Sequence, residues 1–277
     1  EIIKNDVIFV VSEEPLGEEN YNRMVEYTAR ALVSNRHLFR EEEDINRNYA
    51  EEILNRWINK IESGYVSVFY RDRTYKCMGN ILNDYLNKTI SPEIFNSGPE
   101  NIMELRNNIN IWTTKNSEKA IEIFIFAASR DDLEDRTKNF PYKNLRDILK
   151  SNNGEYIVNK DLNFRENLDL DHPTVKICKE VERKIKGNEG KTFNLGVTLE
   201  FLQRPPFGLY SNMLNSSILA FALRPYTGKL YEEGTGRRID KELMRDKVSA
   251  IFRYWKDNKD IEKLNVRLGT PEERELV

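Results

Sequence analysis

The sequence predicts an α+β fold, mostly helical, with a winged-helix-like C-terminal region. Apolar residues recur at helical spacing in several long stretches, while strand-like runs are few and short. The stretch Phe193 to Trp255 reads as helix, tight turn, helix, hairpin and long helix, which is the outline of a winged helix. The 29 aromatics (3 Trp, 13 Tyr, 13 Phe) are enough to support a packed core and exclude a disordered chain.

In chain order, Asp6 to Val11 is a short apolar run expected to be a buried strand. Asn20 to Leu38 follows, with Tyr21, Met24, Val25, Thr28, Leu32 and Val33 at helical spacing. Strand, loop and helix together read as a β-α unit. A second amphipathic helix is expected over 44–63, with Tyr49, Ile53, Trp57, Ile58 and Ile61 inward and Gly64 as its C-cap. Tyr65 to Tyr70 alternates and is rich in β-branched and aromatic residues. Arg71-Asp72-Arg73 turns it into a return strand at Thr74 to Cys77.

Ile81 to Lys88 is expected to be helical, and Ser97-Gly98-Pro99-Glu100 to open a helix reaching about Asn110. Ser117 to Ser129 admits two readings. Its β-branched and aromatic core suits a strand, and its Glu-Lys-Ala start suits a helix. Helix is the reading taken, because Asp131 to Asp135 continues without a turn signal. A short helix is expected over 144–150. Tyr156 to Asn167 is irregular and polar, so a linker is expected there, dividing the chain into a helical α+β region at 1–165 and a winged-helix-like region at 166–277.

Pro173 opens a helix through Val175, Ile177, Cys178, Val181 and Ile185, ending at Gly187. Leu195, Leu199 and Leu202 continue at helical spacing until Arg204-Pro205-Pro206-Phe207-Gly208 stops them, since proline lacks the donor and restrains its predecessor. Ser211 is the expected N-cap of an almost wholly apolar, buried helix carrying Leu214, Ile218, Leu219, Phe221, Ala222 and Leu223. Gly234-Thr235-Gly236 between two strand-like runs signals a hairpin. A long helix follows from about Asp240, with Leu243, Val248, Ile251, Phe252 and Trp255 on one face. Thr270-Pro271-Glu272-Glu273 announces one more helix. The chain stops within about two turns of it and begins without Met, so a piece of a longer protein is expected.

Net charge is −3, so no global basic field points to nucleic acid, and any such contact must be local. Cys77 and Cys178 stand far apart, form no CxxC and follow no signal peptide; a reduced, cytoplasmic protein is expected. No apolar run approaches the ~20 residues of a membrane helix, so no membrane partner is expected.

The chemistry the residues offer is sparse. Gly187 to Lys191 has two glycines and a lysine, but no strand feeds it, and it reads as a solvated turn rather than a phosphate loop. His37 and His172 have no metal-ligand spacing to either cysteine. Asp169, Asp171, Glu180, Glu182 and Lys184 resemble the carboxylate and E-x-K order of magnesium-dependent nucleases. That site needs a strand, whereas helical periodicity here turns Glu182 and Lys184 about 200° apart. No catalytic residue, metal or cofactor is assigned. The candidate contacts are cationic: Arg204, Arg224, Lys229, Arg237 and Arg238 sit at turns, helix ends and the hairpin tip, positions suited to phosphate. Double-stranded DNA is the candidate partner. Against it, Glu232, Glu233 and Asp240 interleave with these cations, and the helix that would enter the groove offers only Asn212, Asn215, Ser216 and Ser217 as polar contacts.

Leu202-Gln203-Arg204-Pro205-Pro206-Phe207-Gly208-Leu209, followed by Ile218 to Leu223, resembles a segment of the very large P-loop ATPases of bacterial phage-defence systems (BrxC/PglY type). Val266 to Glu273 is similar to the stretch downstream of that segment in those ATPases. The resemblance covers about a third of the chain and places it downstream of an ATPase core. With no Walker A motif here, it transfers no ATPase residues. It implies a non-catalytic module of such an ATPase that supports assembly or contacts DNA, with the rest of the parent or other defence subunits as partners. The rival readings are a Mg²⁺-dependent nuclease using Asp171, Glu182 and Lys184, and a pure protein-interaction scaffold.

Overall fold

A computed structural model describes residues 7–270 apart from 16, 103–104, 106–108 and 167–170, together with Glu273. The fold is α+β and mostly helical, 57% helix and 13% strand. The chain forms two compact units that divide between Ser91 and Pro92.

In the first unit, β1 (Ile8–Ser12) is followed by α1 (Glu18–Arg36) and α2 (Arg40–Ser63), then by β2 (Tyr65–Tyr70), β3 (Arg73–Met78) and the one-turn α3 (Leu82–Tyr85). The expected β-α unit is replaced by an antiparallel sheet in the order β1-β2-β3, with Ile8 opposite Tyr70 and Val66 opposite Cys77. A helical hairpin is inserted between its first two strands. Glu13 ties the three strands together: it accepts from Ser67 Oγ on β2 and from Lys76 Nζ on β3, the latter at 2.6 Å. The sheet core is small, comprising Val66, Val68 and Cys77 with Ile8, Ile61, Leu82 and Tyr85 against it. Contrary to expectation, β1 is not a buried strand. It lies at the sheet edge, with Phe9, Val10 and Val11 exposed.

The hairpin seam has the 3-4 spacing of an antiparallel coiled coil. Met24, Tyr27, Ala31 and Ser34 of α1 and Asn46, Ala50, Ile53 and Trp57 of α2 are the more buried positions. Tyr27 and Tyr49 pack with ring centroids 5.1 Å apart. At the tip, Asn35 Nδ2 donates to Glu43 at 2.8 Å.

The second unit begins within the one-turn α4 (Ser91–Ile94). The helix expected from Ser97 to Asn110 is reduced, among the described residues, to single 3₁₀ turns at Pro99–Asn101 and Ile109–Trp112. The ambiguous run is a helix, α5 (Ser117–Phe126), and α6 (Arg130–Thr137) follows with Ser129 as its N-cap. The stretch read as a linker is core. Ile157, Val158 and Leu162 are buried and short bridges join Lys150 to Tyr156 and Val158 to Phe164. The expected boundary at 165/166 therefore falls inside one hydrophobic core that runs from Ile102 to Leu268.

That core is built around α9 (Met213–Leu223), all eleven residues of which are buried. Asn212, not Ser211, caps it, by accepting from the Asn215 amide. Met213 N donates to Thr113 O at 2.9 Å before α5 begins, and Arg224 Nη2 donates to Ala127 O at 3.1 Å after α5 ends. The two helices thus run parallel, with Phe124 edge-on to Phe221. Packed around α9 are α7 (Pro173–Lys186) and α10 (Lys241–Asp257). His172 caps α7: its Nδ1 accepts from Thr174 N, leaving Nε2–H to donate to Lys150 O at 2.9 Å. This sets the imidazole to structural use.

The small sheet has the order β4-β6-β5, antiparallel throughout, from β4 (Thr192–Asn194), β5 (Leu230–Glu232) and β6 (Asn265–Leu268). The one-turn α8 (Leu195–Thr198) follows β4. The hairpin at 229–239 forms, but its return limb makes the single bridge Tyr231–Arg238. The continuous partner of β5 is β6, and α10 lies between them in the chain. The wing-like hairpin of the expectation is thus shortened to a tight loop. Gly196 lets α10 close on α8: Trp255 Nε1 donates to Gly196 O at 3.0 Å, and a Cβ there would lie 2.6 Å from Tyr254 Cδ1 and 2.7 Å from Leu264 Cδ1. Gly196→Ala is expected to cost about 1–3 kcal/mol through overpacking, read as a lower urea midpoint at unchanged m.

Candidate functional site

The five cationic residues separate into three that gather and two that do not. Lys229, Arg237 and Arg238 share the 229–239 hairpin. Arg238 Nε donates to Gly228 O at 2.7 Å. Arg237 is 3.5 Å from Asp240 and largely exposed. Arg204 belongs to the turn that leads into α9 and pairs with Glu200 at 3.2 Å on the surface. Arg224 is not a surface contact. Its guanidinium is half-buried against Ala127 O, where burial holds its pKa below the usual value. Its task is to close the end of the α5–α9 pair.

The buried helix also removes direct base readout by its polar residues. Asn212, Asn215, Ser216 and Ser217 are all buried, Asn215 Nδ2 donates to Tyr210 O, and Ser217 Oγ donates to Met213 O. The nuclease constellation fails on its geometry. Residues 180–184 lie in α7 rather than on a strand, Glu182 pairs with Lys186, and Asp171 pairs with Lys176; Asp169 lies outside the described residues. Among the described residues, no group of three or more His, Cys, Asp or Glu side chains is placed to hold a metal ion, and no helix is long and apolar enough to cross a membrane.

An exposed apolar surface lies on the α1–α2 hairpin. Its seam is narrow because Ala31, Ser34, Asn46 and Ala50 are small or polar. The large apolar residues stand beside it. On α1, Tyr21, Val25, Thr28 and Leu32 form a 4-3-4 stripe; on α2, Leu54 and Ile58 continue the same period from Arg47 and Glu51. In an antiparallel pair, both stripes fall on the same side of the seam. Met24, Leu32, Ala50 and Leu54 line one shallow groove of about 410 Å³. Tyr21 is 54% exposed, Val25 45%, Leu32 62%, Leu54 46% and Ile58 41%. The charged pairs Glu19–Arg23 and Glu26–Arg30 occupy the rest of α1. The two helices are therefore amphipathic twice over, once toward each other and once toward solvent.

Sequence reasoning placed Ile58 inward, set Tyr21, Val25, Thr28 and Leu32 at a helical spacing that is ordinarily core, and did not name Leu54. The signal it passed over was their number. Residues 21, 25, 28 and 32 repeat alongside 24, 27, 31 and 34, and one partner helix covers only one such stripe. No protein-family model, curated protein or solved structure matches the chain.

Proposed function

We propose that the chain is a non-catalytic assembly module whose α1–α2 hairpin docks onto the same hairpin of a second copy. The observation that carries this is the exposed apolar stripe on both helices. Its heptad period calls for a helical partner of the same period, and the hairpin itself meets that requirement. Five large side chains about half exposed make a patch of the ~300–600 Å² size that is often functional. Two such patches with their rims reach the lower part of the ~1,200–2,000 Å² range of stable interfaces. The product would be a four-helix bundle. A module of a large phage-defence ATPase, as the Leu202–Leu209 segment suggests, is a setting in which such an arm would join subunits.

Light scattering on the eluting full chain tests the proposal. Wild type is expected at the mass of two chains, and Leu32→Ser/Leu54→Ser at the mass of one. Equal masses for both would refute it.

A second reading, phosphate contact, is favoured by Lys229, Arg237 and Arg238 lying on one hairpin. Three contacts give a slope of log affinity on log salt of about −3 for duplex DNA, and Arg237→Ala/Arg238→Ala reduces its magnitude by about 2. A titration at low and moderate salt measures both. Absence of binding at low salt removes this reading and leaves assembly as the module's role.

A further inference from the structure

We propose that the second unit holds a binding site for a small aromatic anion, a flat ring carrying a phosphate or carboxylate, in the cavity between α7 and the end of α9. The cavity measures about 670 Å³, within the ~300–1,000 Å³ span of small-molecule sites. Its walls are aromatic. Phe164 stands edge-on to Phe221 at 5.7 Å, and Tyr226 closes the side next to Pro225. Cys178 and the Glu182–Lys186 pair, at 2.5 Å, face it from α7.

The polar groups that line it are unspent. Tyr226 is only 8% exposed, yet its hydroxyl makes no hydrogen bond among the described residues. Lys179 on α7 and Lys229 on the hairpin also line the cavity, and neither ammonium forms an ion pair among the described residues. With Lys186 and Glu182 cancelling, the lining carries two net positive charges, on a chain whose overall charge is −3. A ring would occupy the space beside Phe164 and Phe221, where edge-to-face contact favours aromatic over aliphatic ligands. Its anionic group would meet Lys179 and Lys229, and Tyr226 would donate to it. A neutral ring would leave the lysines unused, and a bare anion would leave the apolar walls wet. The site joins Lys229, legible in the sequence as a phosphate contact, to residues 50 and 65 positions away.

The test uses the full chain and 1-anilinonaphthalene-8-sulfonate, an aromatic anion whose fluorescence reports binding, with neutral N-phenyl-1-naphthylamine and inorganic phosphate as controls. Lys179→Gln/Lys229→Gln, two changes at the cavity rim, is expected to weaken sulfonate binding at least tenfold and to leave the neutral dye unchanged. Inorganic phosphate at the same concentration should displace none of the bound sulfonate, since it lacks the ring that the aromatic walls hold. Unchanged sulfonate affinity in the double variant, or equal loss of sulfonate and neutral dye, would overturn the proposal. So would loss of the signal in Leu32→Ser/Leu54→Ser alone, which would place the dye on the hairpin.

Discussion

Lys247→Ala is expected to destabilise the second unit by about 3 kcal/mol. Lys247 is 5% exposed and lies on the inner side of α10. Its ammonium donates to Glu232 Oε1 at 2.7 Å, and to the Lys263 carbonyl. One side chain thus fastens α10 to β5 and to the turn before β6. Breaking a buried pair by removing one partner costs about 3–5 kcal/mol, because the remaining charge stays desolvated. The lower edge applies here, since the Glu232 side chain keeps 22% of its surface. For a unit of this size, about 3 kcal/mol lowers Tm by roughly 6–12 °C. The loss depends on pH. The hydrogen bond from Lys247 holds the Glu232 carboxyl below the usual carboxylate range. A carboxylate with a depressed folded pKa adds stability above its unfolded value of about 4.3 and loses it as pH falls through the folded one. The difference between wild type and Lys247→Ala should therefore be full at neutral pH and close below about pH 4. Thermal melts across that range measure it. A constant difference at all pH values would assign the effect to packing of the lysine stem instead.

Phe124→Ala is expected to cost about 3–5 kcal/mol, the range for removing a buried ring. Phe124 is 1% exposed at the centre of α5 and meets Phe221 edge-on at 6.5 Å across the α5–α9 contact. The consequence separates two organisations of the chain. If 92–277 is one cooperative unit, loosening α5 raises exchange in α9 and α10 to the same extent. If the chain divided at 165/166, only the N-terminal side would respond. Hydrogen exchange read peptide by peptide makes the distinction. Equal acceleration on both sides of residue 165 is the expected result.

How far the sequence could be read depends on where each signal originates. The order and type of most elements came from local pattern. The hairpin sequence Tyr65 to Cys77, the Pro173 helix and the α10 stripe were legible because periodicity and caps are written within a few residues. Thr270 and Glu273 exchange the reciprocal hydrogen bonds expected at a helix start, although the helix beyond lies outside the described residues apart from Glu273. Partnership was not legible. Val158 and Leu162 sit in a polar stretch, and only the fold reveals that α7 and the residues after α6 share a core. Tyr21, Leu32 and Leu54 have the spacing of buried residues, but burial depends on a partner that the hairpin alone does not supply. Arg224 looked like a surface cation because its acceptor, Ala127 O, lies 97 residues away. Lys247 and Glu232 carried no signal for the same reason: an ion pair across the small sheet is invisible in either segment.

Pairing through the hairpin should bring two chains together. Sedimentation equilibrium of the full chain over a wide concentration range tests it most directly. The average mass is expected to rise with concentration from one chain toward two and to level there, as a closed two-fold interface requires. A mass of one chain at every concentration would contradict it.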